Sequence, residues 1–402
     1  MSHNVILVVG LGTAQTLAWA STYYLPAILA VPMARDLGIA SATVFAAFSA
    51  ALVISAFMGP TARRLIDRFG GRPVLVFSSL VFASGLGLLG VSWNLYSMLM
   101  AWLLLGVGMG CGLYEAAFAT LVRLQGDGSR ASITGITLIA GFASTVGWPL
   151  STWLESEYGW REACLTWAAL HVLIGLPLNA LLQKVSPAIP VPERTGPSVS
   201  SAEGAMAPAA WTTREERLVL GLLAFVFAAT WFISTAMAAH LPGLLQVSGF
   251  EPGVALMVGM LIGPAQVAGR LLEFGFLRHL SPLLSARIAA TLHPLGVTLL
   301  MAGAPWSAAA FGVMHGAGNG VMTIAKGTLP LVLFGPQGYG HRQGWLMVPA
   351  RVAQALAPWL FGLLVSRIGT GAFAVTAVVG ILASVALWLL PERNASPASA
   401  SS

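Results

Sequence analysis

Four charged side chains lie inside long apolar runs of this sequence, namely Glu115, Arg270, Lys326 and Arg351. If those runs cross a bilayer, each charge costs roughly 2.5–3.5 kcal/mol to insert, so it should face a cavity or an oppositely charged partner. An arginine can hold a carboxylate through two hydrogen bonds, and a carboxyl group can take up and release a proton. These residue types therefore predict anion binding and proton transfer within a membrane.

Arg270 lies in the segment Gly263-Pro-Ala-Gln266-Val-Ala-Gly269-Arg270. The four-residue spacing puts Gln266 and Arg270 on one helical face, so a substrate held by Arg270 would also contact Gln266. The alternative is an arginine whose head reaches the membrane surface or pairs with Glu273.

The other three charges lie in three further runs. Arg351 lies about two turns into its run, where it could act as a second anion-binding cation or tie helix ends together. Glu115 is the candidate proton carrier, and its alternative role is a structural salt bridge to Lys326 or Arg68. Lys326 lies towards the end of its run, so we expect its amine to reach the membrane surface.

Polar and aromatic residues also recur at helical spacing in the first apolar run, which carries Gln15, Trp19, Thr22 and Tyr23. We expect Gln15 and Tyr23, together with Trp231 in the seventh run, to line a substrate cavity. The alternative is that these residues form a helix-packing face.

Composition indicates a polytopic membrane protein. Hydrophobic residues make up 57% of the chain and charged residues 8%, against about 25% charged residues in soluble domains. The basic residues are dispersed in short loops, which argues against a nucleic-acid partner. Cys111 and Cys164 fall inside apolar runs and imply no disulfide framework. The sequence shows no nucleotide-binding loop, metal-ligand cluster or catalytic constellation, so we expect no enzymatic activity, cofactor or metal.

Glycine, proline and charged residues divide the chain into twelve apolar spans. With the N-terminus inside, fourteen of the 20 Lys and Arg residues fall on the cytoplasmic side and three outside. This bias places both termini in the cytoplasm, and we expect the membrane to be the bacterial inner membrane. The predicted starts lie near Val5, Ser41, Pro73, Leu95, Ser132, Ala163, Glu216, Pro252, Leu284, Trp306, Gln343 and Thr370.

The predicted fold is an all-α membrane protein with twelve transmembrane helices in two pseudo-symmetric six-helix bundles. The bundles cover residues 1–183 and 215–393, with a cytoplasmic linker at 184–214 and a disordered tail at 394–402. Gly106-Val-Gly108-Met-Gly110 in span four resembles Gly316-Ala-Gly318-Asn-Gly320 in span ten, and Glu115 and Lys326 follow at similar offsets. Such repeats indicate a duplicated chain with a site between its halves, although glycine runs are also common where membrane helices pack closely.

A short basic loop separates spans two and three. Its sequence Asp67-Arg68-Phe-Gly70-Gly-Arg72 resembles the loop between the second and third helices of major facilitator superfamily transporters, although Gly59 lies farther from Asp67 than in that family. The resemblance implies the major facilitator fold. It also implies that Asp67, Arg68 and Arg72 form a gating latch, which holds the inward side closed in the outward-open state.

Span eight is similar to that of monocarboxylate porters and oxalate:formate antiporters, which carry a substrate-binding arginine at the place of Arg270. Monocarboxylate porters have a proton-handling aspartate where this chain has Gln266, so the resemblance does not imply proton coupling at that position. Arg351 resembles the second cation of the oxalate:formate antiporters, which is a lysine there. Drug:proton antiporters of the superfamily carry an arginine where this chain has Trp102, which argues against the drug-efflux interpretation without excluding it.

These resemblances imply a secondary transporter that moves a small organic anion by alternating access. We expect its partners to be this substrate, a coupling proton and membrane lipid, and we expect a monomer. One alternative is proton-coupled efflux of a neutral or cationic drug or metabolite through Glu115. A second alternative is a membrane receptor that binds a ligand without transporting it.

Overall fold

The computed structural model describes residues 3–182, 212–275, 280–304, 306–335 and 339–391. Most of the predicted linker and all of the predicted tail lie outside these ranges. The described residues form no strand. Their α-helices are α1 His3–Ser21, α2 Pro26–Asp36, α3 Ser41–Phe69, α4 Gly71–Gly90, α5 Leu95–Gly112, α6 Tyr114–Gln125, α7 Ser129–Ala140, α8 Ala143–Tyr158, α9 Trp160–Leu170, α10 Leu176–Ala180, α11 Thr213–Val247, α12 Pro252–Gly275, α13 Pro282–Met301, α14 Ser307–Phe334, α15 Tyr339–Ile368 and α16 Gly371–Trp388.

These helices form twelve membrane-length stretches, four of which consist of two consecutive helices (α1–α2, α5–α6, α7–α8 and α9–α10). Eleven described stretches are long and apolar enough to cross a membrane. The twelfth, α14, is more polar because it carries His315, Asn319 and Lys326. Each stretch begins within four residues of its predicted start, and the prediction of an all-α membrane protein is confirmed.

Two helix breaks shape the middle of the molecule. Between α1 and α2 the chain turns into Pro26, which has no backbone N–H to donate, and the Trp148 indole donates to the free carbonyl of Tyr24 at 3.0 Å. Between α5 and α6 the chain is extended at Leu113, so that Glu115 stands in the first turn of a new helix. Broken helices are tolerated at membrane depth where neighbouring side chains satisfy the freed backbone groups.

The two glycine runs hold equivalent helix pairs together. A Cβ atom on Gly106 would lie 2.5 Å from the carbonyl oxygen of Ala51 in α3, and one on Gly316 would lie 2.7 Å from that of Ile262 in α12. The other glycines repeat this correspondence: Gly110 faces α3 and Gly320 faces α12, whereas Gly108 faces α4 and Gly318 faces α13. Both runs therefore allow the close backbone approach that small residues give membrane helices.

Helices α1–α10 pack mainly with one another, as do α11–α16, and the pairs α2–α11, α3–α15 and α8–α12 join the two sets. Several joining contacts lie towards one end, which carries the connection between α2 and α3 and is called here the α2–α3 end. There the rings of Phe45 and His240 lie 3.9 Å apart, and the backbone N–H of Trp359 donates to Ser49 Oγ at 3.2 Å. The molecule is closed at this end.

Tyr23 also joins the two sets, since its hydroxyl lies 2.7 Å from Thr235 Oγ1 and both residues are buried. Tyr23→Phe removes this hydrogen bond, which contributes about 1 kcal/mol. We expect the equilibrium to shift about fivefold towards opening at the α2–α3 end. Pulsed electron spin resonance between spin labels on cysteines introduced at Ala40 and Gln246 would measure the shift. Both native cysteines are buried, so the labels should react at the introduced sites. The matched control is Tyr96→Phe at an exposed position, and equal distance distributions in both variants would contradict the prediction.

Candidate substrate-binding cavity

A cavity of about 290 Å³ lies between the two helix sets, next to the closed α2–α3 end. Three cationic side chains and one carboxylate line it among the described residues. Aromatic rings and small residues make up much of the remaining wall. The lining residues are Trp19, Tyr23, Tyr24, Leu52, Ser55, Ala56, Met109, Gly110, Leu113, Tyr114, Glu115, Phe118, Thr137, Ala140, Gly141, Trp231, Ser234, Gln266, Arg270, Asn319, Thr323, Lys326, Arg351, Gln354 and Ala355.

Arg270 projects into this cavity from α12 and is only 6% exposed. Its Nη1 donates to the backbone carbonyl of Thr137 at 2.6 Å, and the Tyr114 hydroxyl lies beside the guanidinium. Within the described residues its buried Nε has no hydrogen-bond partner, and the alternative ion pair with Glu273 is not formed. The guanidinium therefore keeps donors that an anion could use.

Lys326 also lines the cavity, which corrects the expectation that its amine reaches the membrane surface. The residue is 6% exposed, and its Nζ lies 4.4 Å from the centre of the Trp231 ring. No carboxylate of the described residues forms an ion pair with it. The sequence carried a signal for this position, because Lys326 follows Gly320 at nearly the offset by which Glu115 follows Gly110.

Glu115 forms an ion pair with Arg351 across the two helix sets. The predicted structural partners, Lys326 and Arg68, were therefore wrong. Arg351 Nη1 also donates to Gln354 Oε1 at 3.1 Å. Gly59 makes room for the carboxylate, since a Cβ atom there would lie 2.9 Å from Glu115 Oε2.

The remaining predicted contact residues divide into two groups. Tyr23, Gln266 and Trp231 line the cavity. Gln15 does not, because its Nε2 donates to the Gly112 carbonyl at 2.6 Å. Its amide thus satisfies the backbone oxygen that the break between α5 and α6 leaves free, and this corrects the expectation that Gln15 contacts a substrate.

The three predicted latch residues lie at the opposite end from α2–α3. Asp67 and Arg68 are exposed, and none of the three side chains forms an ion pair within the described residues. The Asp67 backbone carbonyl accepts a hydrogen bond from Arg123, and the Arg68 guanidinium lies 4.9 Å from the Phe69 ring. Whether these residues form a latch stays a prediction, and in this conformation the described residues provide no ionic partner for them.

Twelve long helical stretches in two sets, with a charged cavity between them, define the architecture of a secondary membrane transporter. The sequence profile of the Major Facilitator Superfamily matches residues 11–309. The chain belongs to this superfamily, whose members are transporters and not enzymes.

Individual relatives are more distant. The multidrug resistance protein MdtL of Salmonella typhi is 26% identical over 240 residues, which cover 58% of each protein. The mouse monocarboxylate transporter 9 is 28% identical over 142 residues, which cover 34% of this chain and 27% of that protein. A bacterial homologue of the human lysosomal transporter Spinster, solved in an inward-facing and unoccupied conformation, shares the fold with a TM-score of 0.69 at 14% identity and covers 97% of both chains.

The names of these relatives refer to drugs in one case and to monocarboxylates in another. The chain spans about half of the MdtL length and about a quarter of the mouse protein. The comparisons therefore establish the superfamily, and they do not confirm the monocarboxylate porter or oxalate:formate antiporter branch.

Proposed function

We propose that this transporter moves small organic anions, of the carboxylate class, across the membrane by alternating access. The observation that carries the proposal is the charge in the cavity. Its one lining carboxylate, Glu115, is already paired with Arg351. Arg270 and Lys326 remain without an acidic partner among the described residues, and a buried cation is costly unless a partner compensates for it. A bound carboxylate would supply that partner.

We propose further that Arg270 is the main anion-binding residue, with Lys326 and Arg351 beside it. Arg270 offers a planar fork that matches two carboxylate oxygens, and its unpartnered Nε is such a donor. Gln266 lies one helical turn earlier on the same face. Tyr23 and Trp231 complete the wall around these charges.

The basic loops favour a cytoplasmic N-terminus and a bacterial inner membrane as the location. In that orientation the closed α2–α3 end faces outward, so this conformation presents the cavity to the cytoplasm. The disengaged Asp67, Arg68 and Arg72 are consistent with this state, because their proposed latch would form only when the inward side closes.

The direct test is thermal stabilisation of the purified protein by formate, oxalate, succinate and benzoate, with tetraphenylphosphonium as a lipophilic cation. A ligand that binds only the folded state raises the melting temperature as its concentration rises. We expect at least one carboxylate to do so and the cation not to. Stabilisation by tetraphenylphosphonium alone would overturn the proposal.

Proton-coupled efflux of drugs is the second candidate function. It is supported by the multidrug resistance name of MdtL and by a carboxylate, Glu115, in an aromatic-walled cavity. In this alternative Glu115 would carry a proton, and so would not be paired with Arg351, until a cation binds and displaces the proton.

Glu115→Gln separates the two functions. The substitution leaves Arg351 without its acidic partner, so under the anion proposal carboxylate affinity should rise roughly fivefold. Calorimetric titration with the best carboxylate of the panel would measure this change. Under the efflux alternative, the variant should instead lose cation binding and the accompanying proton release. Glu157→Gln, at an exposed position near the end of α8, serves as the control.

A further inference from the structure

A second polar site lies behind the substrate cavity, where two buried histidines meet. His293 on α13 and His315 on α14 are 7% and 5% exposed, and their Nδ1 atoms lie 3.0 Å apart. Two imidazoles can approach in this way only if one Nδ1 carries a proton and the other accepts it. The ring that donates through Nδ1 then has an unprotonated Nε2. A second proton can bind there without breaking the Nδ1–Nδ1 hydrogen bond.

A small side pocket of about 30 Å³ borders both rings. A single water molecule needs roughly 10–15 Å³ of such space, so the pocket can hold about two. His293 Nε2 is buried and has no hydrogen-bond partner among the described residues. Thr230, Ser234 and Asn319 supply further polar groups to the pocket wall. The side pocket therefore offers room for water next to a ring nitrogen that has no hydrogen-bond partner among the described residues.

The side pocket adjoins the substrate cavity, because Ser234 and Asn319 line both. His315, Asn319 and Thr323 follow one another at four-residue intervals on α14, and Lys326 continues the same face. One helix therefore carries a polar stripe from the histidine pair to the cationic part of the cavity. Lys326 follows His315 by eleven positions, which corresponds to about 16 Å of helix.

Among the residues that the structure describes, few other charges face the pair. The pocket residues of α11 (Thr230, Ile233 and Ser234) and of α16 (Gly380 and Ala383) are not titratable. On α14 the neighbouring titratable groups are His315 itself and, farther along, Lys326.

Two arginines lie on the helices around the pair. Arg270 reaches the cavity from α12, which packs on α14. On α13 the nearest charge is Arg287, which donates to the Leu387 and Leu390 carbonyls instead.

We propose that the His293–His315 pair is a proton-binding site, reached from the substrate cavity through the side pocket, and that proton binding there is linked to anion binding. The linkage rests on the proposed anion transport, whereas the proton site itself does not. Lys326 and Arg270 repel a proton on the pair, and an anion bound between them removes that repulsion. Over about 16 Å, removing this repulsion raises the proton affinity of the pair by a factor on the order of five. Because linkage is reciprocal, anions should bind about fivefold more tightly when the pair is protonated.

The test of linkage is calorimetric titration of oxalate and of benzoate into the purified protein at pH 5.5 and pH 8, in buffers of different ionisation enthalpy. We expect net proton uptake with anion binding in the wild type and in Glu115→Gln. His293→Gln and His315→Gln should bind the anion without proton uptake and with the same affinity at both pH values. The control is His171→Gln, which removes a buried histidine of the other helix set. Its Nε2 lies 2.8 Å from Ser21 Oγ. Retained uptake in both pair variants, or its loss in Glu115→Gln alone, would overturn the linkage.

A second measurement is independent of the substrate. Nitrogen NMR of the purified protein with ¹⁵N-labelled histidine should show, for one ring pair, signals that convert to the doubly protonated form on acidification and vanish in either pair variant. If those signals do not change down to the pH at which the protein unfolds, the proton site is wrong. If neither anion binds while the pair still titrates, the anion proposal fails and the proton site stands.

Discussion

Arg270→Ala should weaken carboxylate binding about 100-fold, the largest loss expected from any single change in the cavity. Two charge-assisted hydrogen bonds from one guanidinium contribute about 3 kcal/mol together, and 1.4 kcal/mol corresponds to a factor of ten in affinity. The variant also removes the hydrogen bond to the Thr137 carbonyl, so its melting temperature without ligand has to be measured first. The readout is the dissociation constant of the best carboxylate found by thermal stabilisation.

Two further variants show whether the loss belongs to the anion site. Arg270→Lys keeps the charge and loses the planar fork, so it should recover part of the affinity and not all of it. Arg367→Ala removes an exposed arginine in the last turn of α15 and should leave binding unchanged. Carboxylate affinity within threefold of wild type in Arg270→Ala would show that the anion is held elsewhere, with Lys326 and Arg351 as the next variants.

Gly106→Val should destabilise the protein by about 3 kcal/mol, the upper end of the usual cost of overpacking. The new Cβ would meet backbone atoms, with the Ala51 carbonyl oxygen at 2.5 Å and the Ala51 Cα at 2.9 Å. Backbone atoms cannot rotate away as a side chain can, so α3 and α5 would have to separate. The expected result is a lower melting temperature and a smaller monodisperse fraction after heating.

Gly87→Val is the matched control, because no atom lies within 4 Å of a Cβ built on that glycine in α4. Both substitutions add the same β-branched side chain to a membrane helix, so any difference between them reports the contact. Equal melting temperatures for the two variants would contradict the packing of α3 against α5 described above.

The sequence by itself determined the class of protein and much of the cavity. Glu115, Arg270 and Arg351 stand out because a charge in a long apolar run is costly wherever the neighbouring helices lie. The helix starts could also be predicted from the local sequence, since they follow from the length of each apolar span and from the glycine and proline residues between spans. The paired glycine runs also predicted a duplicated chain.

Only the tertiary structure decided which side chains meet. Glu115 pairs with Arg351 and not with Lys326 or Arg68. Lys326 faces the cavity instead of the membrane surface, and Gln15 turns to a backbone carbonyl. These contacts depend on the breaks in α1–α2 and α5–α6 and on the rotation of each helix about its axis, and both arise from packing between segments far apart in the chain. A sequence pattern fixes which residues share one helical face, but it does not fix what that face will contact.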